Sequence, residues 1–222
     1  MKTLFIESKY KEKIILPRAV VEKLSRRANK IALFTTIQFL NNIPNLKNQL
    51  EKENIAVELI KPAHCKYAGQ LLGCSIKCFK EDVDAFLFIG DGMFHPLALK
   101  LSNDKPVFAY NPFTKKFAEI TENETKRIKQ QQKAALVKFY SSKEIGVLIS
   151  TKPGQFEIKK ALALKKKFPE KNYYYFIFDT LDFSQLENFP YVECFVNTAC
   201  RRVSYDDSEK SQKKILDISL LF

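Results

Sequence analysis

The sequence predicts an α/β fold made of two parallel-sheet domains, with helices on both faces of each sheet and a cleft shared by the domains. Two observations support this prediction. Short apolar runs rich in β-branched and aromatic residues alternate with longer amphipathic segments along the 222 residues, which is typical of a parallel sheet covered on both faces. The strand–helix cycle also occurs twice, once over about 28–120 and again from "EIGVLIST" at residue 144.

Seven of the apolar runs have the length and composition of strands. They cover 30–36, 55–60, 84–90, 106–111, 145–151, 173–179 and 193–199. Helices are expected near 38–53, 95–103, 122–142 and 155–167. The helix at 122–142 is the clearest, because it lacks Gly and Pro and consists largely of strong helix formers.

The repeated cycle predicts one α/β domain over 26–135 and a second over 136–222, with the long helix joining them or packing between them. Residues 1–25 are expected to be an N-terminal remnant or extension. Their runs "TLFIE" and "KIILPRAVVEKL" suggest a strand and a helix, either left from another element or added to the first sheet.

Composition narrows the class of protein. Hydrophobic residues make up 45% and charged residues 28%, so a packed core is expected and global disorder is not. No apolar run has the length of a membrane span, and the N-terminus lacks the apolar region of a signal peptide, so a cytoplasmic protein is expected. A net charge of +12 suggests an anionic partner, but scattered lysines on solvated helix faces explain it more simply. The chain carries no nucleic-acid-binding signature, and direct nucleic-acid binding is not expected.

Five cysteines without a secretory signal argue against a disulfide framework and leave buried, catalytic or metal-binding thiols. Cys74 and Cys200 each follow a strand, one in each predicted domain. Ligands in open α/β sheets bind at the carboxyl ends of strands, so these two thiolates could hold a shared metal, although an isolated cysteine is more often a core residue. Cys194 lies within a strand and fits the core interpretation. Cys65 and Cys78 lie in the same loop region as Cys74.

Two further loops follow strands, and no residue in them is assigned a catalytic role. "GDGMFHP" (90–96) offers two glycines for close backbone approach and a histidine at the start of a helix. "STKPGQ" (150–155) is a plausible but nonspecific seat for an anion. The candidate cofactor-binding residues are Gly90, Gly92, His95, Lys152 and Gly154.

Five motifs together resemble the diphthamide-synthesis family, whose archaeal members are 2-(3-amino-3-carboxypropyl)histidine synthases. They are "YAGQLLGCS", "FLFIGDGMFHPLAL", "VFAYNPFTKKF", "GVLISTKPGQ" and "FVNTACRRVSYDD". Their order agrees with the family as well as their content, from about Lys30 to Asp207.

The resemblance implies three similar α/β domains around a cleft, each giving one cysteine to a [4Fe–4S] cluster whose fourth iron binds S-adenosylmethionine. It implies reductive cleavage of the sulfonium and addition of a 3-amino-3-carboxypropyl radical to a histidine of translation elongation factor 2. By motif position, Cys74 corresponds to the ligand of the middle domain and Cys200 to the ligand of the last. Both are then expected to face one cleft, bordered by "GDGMFHP" and "STKPGQ".

Two departures from the family pattern shape the expected function. The family's first domain, with its cysteine, is expected to be absent, so the third ligand would be Cys65, Cys78 or a residue of a partner chain. Arg201 also stands where the family usually has proline. The first hypothesis is that the chain is a component of the transferase and is completed by a partner in a homo- or hetero-dimer. This partner would be a full-length homologue or a chain that supplies the missing domain. The alternative is a non-catalytic scaffold of the full-length enzyme, with the cluster lost.

Overall fold

The computed structural model describes residue 4 and residues 6–222. The chain divides into two compact units, the first ending at Thr125 and the second running over Lys126–Phe222. The strands of the described residues form one sheet in each unit, so the predicted α/β class with two separate sheets is confirmed. No helix in the described part of the chain is long and apolar enough to cross a bilayer.

The described residues of the first unit form three α-helices and five strands. In chain order they are α1 (Arg18–Ser25), β1 (Lys30–Thr35), α2 (Ile43–Glu51), β2 (Ala56–Glu58), β3 (Ala85–Ile89), α3 (Phe94–Ser102), β4 (Val107–Tyr110) and β5 (Phe117–Glu119). The strand order is β2-β1-β3-β4-β5. The first four strands pair in parallel, whereas β5 pairs antiparallel with β4.

The first sheet is buried on both faces, as its continuous apolar runs predict. Ile31 and Leu33 of β1 join a core with residues of α1 and α2. Ala32 and Phe34 belong to the opposite core, formed with α3. Successive strand residues point to opposite faces of a sheet, so the helices cover both faces of this one.

The second unit is an all-parallel sheet. Its elements are α4 (Glu122–Ser141, whose first turn precedes the unit boundary), β6 (Glu144–Ser150), α5 (Ile158–Lys167), β7 (Asn172–Phe178), β8 (Cys194–Asn197), α6 (Arg201–Tyr205) and β9 (Ile215–Asp217). The strand order is β7-β6-β8-β9. One face packs against α4 and α5, and the other packs against α6 and the 3-10 helix Phe183–Asn188.

Two expected helices begin later than the sequence suggests. The helix expected over 38–53 is a 3-10 helix over Ile37–Asn42 followed by α2, which begins at Ile43. Pro44 accounts for this start, because proline lacks an N–H and fits only the first turn of an α-helix. The helix expected from 155 begins at Ile158, after a turn in which the Gln155 N–H donates to the Lys152 carbonyl.

Strands β5 and β9 and helix α6 were not predicted, because each has only three to five residues. The turn before β5 forms where the Asn111 side-chain oxygen accepts from the N–H groups of Phe113 and Thr114. The strand expected in "TLFIE" falls partly outside the described residues, and Leu4, Ile6 and Glu7 lie in no strand.

The segment before α1 is held by side chains rather than by a sheet. The Ile14 N–H donates to Asn42 Oδ1 at 2.7 Å, and Asn45 Nδ2 donates to the Ile14 carbonyl. Gln49 binds both backbone groups of Leu16, at 2.9 and 2.7 Å. These three amides fall on one face of the helical region, since their spacing of three and four residues matches its turns.

Two buried polar side chains tie α4 to the rest of the second unit. Lys171 Nζ donates to the carbonyls of Phe139, Tyr140 and Ser142 at 2.9, 3.2 and 2.6 Å. It therefore satisfies carbonyls that the end of a helix leaves without a partner. Gln132 Nε2 donates to the carbonyls of Ser204 and Ile215, and its Oε1 accepts from the Asp217 N–H.

Strand β7 is an edge strand of the second sheet. Its sequence, "NYYYFIF", contains no charged residue. Tyr173 donates its hydroxyl to the carbonyls of Leu164 and Phe168. Further along the same face, Ile177 is 62% exposed.

Candidate metal centre

The loop that carries Cys74 runs beside the carboxyl end of β1. The Thr35 N–H donates to the Gly69 carbonyl, and the Leu71 N–H donates to the Thr35 carbonyl, both at 2.8 Å. Gly69 has a φ of +76°, and a Cβ there would lie 2.4 Å from Cδ1 of Ile43. A glycine is therefore required for this approach, which brings the loop to the sheet edge where ligands of parallel sheets bind.

Cys74 lies in a single 3-10 turn, Gly73–Ser75, and is exposed. A Cβ on Gly73 would come within 2.6 Å of Cε1 of Phe94. The turn therefore packs against the first residue of α3. The His95 ring in turn stacks on Phe88, with centroids 5.3 Å apart and planes at 16°. The structure thus brings the Cys74 loop and "GDGMFHP" together at one edge of the first sheet.

The two glycines of "GDGMFHP" differ in their surroundings. Gly90 is buried, its N–H donates to the Tyr110 carbonyl at 3.0 Å, and a Cβ there would meet the Phe88 ring at 2.8 Å. Packing of Phe88 therefore accounts for Gly90. Gly92 has a φ of +74° and is exposed with open space around it. Of the two, only Gly92 leaves room for a ligand beside the backbone.

The other two cysteines of this region have opposite environments. Cys65 is buried, and its thiol donates to Ser75 Oγ with a sulfur–oxygen distance of 3.4 Å. Cys78 is exposed.

Cys200 in the second unit also follows a parallel strand. It lies just after β8 and is the N-cap residue of α6. Asn197, only 1% exposed, fixes this turn. Its Nδ2 donates to the Cys200 carbonyl at 2.9 Å and to Ser204 Oγ at 2.8 Å, and its Oδ1 accepts from the Ala199 N–H. The half-buried Cys200 therefore sits on a backbone that is held on both sides.

The loop "STKPGQ" lies at the same edge of the second sheet as Cys200, since β6 and β8 are parallel neighbours. Thr198 links the strand ends by donating both its N–H and its hydroxyl to the Leu148 carbonyl. Lys152 and Gly154 are exposed, and Gly154 has a φ of +78°. They form a turn that ends before α5 begins at Ile158, so neither residue lies in the first turn of that helix.

Each unit therefore places one cysteine on a loop at the carboxyl edge of its sheet. Among the described residues, no three His, Cys, Asp or Glu side chains cluster closely enough to hold a metal ion. Thiolates are the usual ligands of iron–sulfur clusters. That Cys74 and Cys200 share one cleft stays a prediction.

Cys194 is fully buried in β8, as expected, and burial raises the pKa of its thiol from 9.0 to about 12. At neutral pH the thiolate fraction should fall about a thousandfold below that of an ordinary thiol. We therefore expect N-ethylmaleimide to modify exposed Cys78 long before Cys194 in the native chain, as measured by peptide mass spectrometry. In denaturant both should react at similar rates; fast modification of Cys194 in the native chain would contradict its placement.

Comparison with known proteins identifies the family. The family described as "Putative diphthamide synthesis protein" matches residues 1–219. The chain belongs to the diphthamide-synthesis family. Cys74 and Cys200 lie in two of the motifs that carry the resemblance to this family. Both motifs fall within the matched residues, which cover nearly the whole chain.

Relatives within the diphthamide-synthesis family include archaeal and fungal proteins. The 2-(3-amino-3-carboxypropyl)histidine synthase of Pyrococcus horikoshii is 33% identical over 200 residues, which are 88% of this chain and 56% of the relative. That of Methanocaldococcus jannaschii is 31% identical and covers 93% and 57%. Subunit 1 of the Kluyveromyces lactis synthase is 29% identical and covers 88% and 48%. The chain spans less than two thirds of the length of these relatives.

Solved structures of the family share the fold. A crystal structure of Dph2 from Pyrococcus horikoshii with a 4Fe-4S cluster matches at a TM-score of 0.79 and 28% identity, covering 92% of this chain and 59% of that one. A second crystal structure of the same protein matches at a TM-score of 0.82, covering 94% and 61%.

Sequence reasoning missed the side chains that hold the two cysteine loops. Ser75 and Asn197 each bind backbone groups within three residues along the chain. Small polar residues beside a strand end or turn are the available signal, because Ser and Asn favour such local bonds. In both loops the polar residue adjoins or closely precedes the cysteine.

Proposed function

We propose that this chain contributes Cys74 and Cys200 as two ligands of a [4Fe–4S] cluster in diphthamide synthesis. The activity is transfer of a 3-amino-3-carboxypropyl group from S-adenosylmethionine to a histidine of translation elongation factor 2. The observation that carries the proposal is that each cysteine lies on a side-chain-anchored loop at the carboxyl ends of the parallel strands of its own sheet.

The donor set fits an iron–sulfur cluster. Cys74 is exposed and Cys200 is half-buried, so both residues are accessible to a bound group, in contrast to fully buried Cys194. When bound, the cluster would supply the electron for reductive cleavage of the sulfonium of S-adenosylmethionine. The chain's own contribution is to hold the two thiolates on rigid loops and to offer the nearby "GDGMFHP" and "STKPGQ" segments to the substrate.

Arg201 is compatible with this role although it departs from the family's usual proline. It is the first residue of α6, and Cys200 before it remains the N-cap. Proline is favoured at a first helical position because the N–H there has no partner within the helix. Arginine fits the same backbone, so this substitution does not require a different Cys200 turn.

The third ligand is proposed to come from a partner, either a full-length homologue or a chain that supplies the missing domain with its cysteine. Docking would be helped by the net charge of +12, so the complex should weaken as salt is raised. A reducing compartment such as the cytoplasm is proposed, because thiolates are kept available there.

Anaerobic reconstitution with iron and sulfide tests the proposal. The partner is a full-length family member in which every cluster cysteine except the one in its first domain has been replaced. When the chain is mixed with this variant, we expect a brown complex with iron and sulfide in cluster stoichiometry. This mixture should add mass to translation elongation factor 2 only with S-adenosylmethionine and a reductant present. The lone chain is expected to hold little cluster and to show no useful activity.

The scaffold alternative makes the opposite prediction. Its supporting observation is that no three possible ligand side chains cluster within the described residues. A colourless chain that co-purifies with the intact full-length enzyme, and leaves that enzyme's activity unchanged when Cys74 and Cys200 are both replaced, would establish the scaffold and end the ligand proposal.

A further inference from the structure

We infer that Ser75 and Cys65 are positioning residues that fix the Cys74 sulfur for its ligand role. This inference rests on the proposed function, and it concerns a set of contacts beneath the Cys74 turn that we call the Ser75 clasp. The clasp consists of Cys65, Leu72 and Ser75.

Ser75 closes the turn through its hydroxyl. Its Oγ donates to the Leu72 carbonyl at 2.8 Å and accepts from the Leu72 N–H at 3.1 Å. The Ser75 N–H also donates to the Leu72 carbonyl at 2.9 Å. Ser75 is only 4% exposed, so water does not readily replace these bonds, and losing them is costly in a buried setting.

Cys65 completes the clasp from across the loop. Its thiol donates to Ser75 Oγ, using an acceptor site that the Leu72 N–H leaves open. Cys65 is 7% exposed, whereas Cys74 is exposed. The buried thiol of Cys65 is directed toward Ser75. Cys65 therefore holds Ser75 in place and is not the third ligand.

Both neighbours of Cys74 are therefore anchored, while Cys74 itself is exposed. On one side Gly73 is held against the Phe94 ring, with no space for a Cβ. On the other side Ser75 is held by the clasp. Contacts that fix the backbone on both sides of a ligand residue limit where its sulfur can lie, and such supporting contacts orient metal ligands.

The test compares four variants of the full chain, Ser75→Ala, Cys65→Ala, Cys65→Ser and the control Ser102→Ala. Ser102 ends α3 in the same unit. In the cluster-free chain, hydrogen exchange at the Leu72 amide should accelerate roughly five- to tenfold in Ser75→Ala, because that amide loses its acceptor. Ser102→Ala should leave this exchange rate unchanged.

Iron content and the electron paramagnetic resonance spectrum after reconstitution, with the partner present, give the second readout. We expect Ser75→Ala to lower iron content severalfold and to broaden the spectrum, and Cys65→Ala to do so more weakly. Cys65→Ser keeps a donor for Ser75 and should retain both the iron content and the wild-type spectrum. This pair of Cys65 variants keeps the test decisive if Ser75→Ala does not fold.

Three outcomes overturn the inference. Unchanged iron content and spectrum in Ser75→Ala and Cys65→Ala would show that the clasp does not position Cys74. An altered spectrum or lost iron in Cys65→Ser would make Cys65 a ligand instead. If the wild-type chain takes up no iron even with the partner, both the proposed function and the positioning role are overturned. The first two outcomes overturn only the positioning role and leave the proposed function standing.

Discussion

Replacing either Cys74 or Cys200 with alanine is expected to abolish cluster binding by the complex that contains this chain. Each substitution removes one thiolate, and an iron left without that ligand is exposed to solvent and readily lost. Iron content should fall by about tenfold or more, and activity toward elongation factor 2 should fall with it. Iron analysis and the visible absorption of the anaerobic complex measure the loss.

Cys194→Ala is the matched control for these variants, because Cys194 lies in β8 of the same unit as Cys200 but is fully buried. It should retain the cluster at a modest cost in stability. Cys78→Ala answers a separate question, since loss of iron in that variant would identify Cys78 as the third ligand. If both Cys74→Ala and Cys200→Ala kept iron and activity, this chain would not hold the cluster.

Gln132→Leu is expected to lower the free energy of unfolding of the second unit by about 3 kcal/mol or more. The substitution leaves the Ser204 and Ile215 carbonyls and the Asp217 N–H without their partner. Each unsatisfied buried polar group costs about 1–3 kcal/mol. Gln132 is only 6% exposed, so a leucine at this position is buried in the core. Burial of its apolar side chain offsets part of the lost stability.

Chemical denaturation of the cluster-free chain, followed by circular dichroism, measures this effect. Gln130→Leu is the matched control, because Gln130 lies on the same helix and is exposed. Hydrogen exchange at the Asp217 amide should accelerate in Gln132→Leu and not in Gln130→Leu. Equal midpoints for the two variants would mean that the Gln132 bonds do not stabilise the unit.

The sequence predicted the parallel strands well, because strands buried on both faces are continuous apolar runs that need no knowledge of their neighbours. Strand β9 was missed for the opposite reason. Its three residues are too short to form a pattern, and they are buried only because β8 and α4 lie beside them. Strand β5 was missed because it is both short and only half-buried.

The cysteine positions in the candidate site were predictable from motifs, whereas the contacts that hold the loops were not. The bond between Cys65 and Ser75 joins residues ten positions apart whose approach depends on the path of the whole loop. The same applies to Lys171, a residue type expected at the surface, which is buried against the end of α4. Side-chain bonds to distant backbone groups follow from tertiary structure and leave little trace in local sequence.

The uncharged strand β7 has a consequence for how this protein behaves in concentrated solution. Among the described strands β7 pairs with β6 alone, and over Asn172–Phe178 it carries none of the lysines or prolines that usually keep sheet edges from meeting. Colloidal stability then depends on repulsion between molecules that each carry a charge of +12. Raising the ionic strength screens that repulsion. Added salt should therefore promote association of the chains through the exposed edge of β7. The chain should stay monodisperse longest in low-salt buffer.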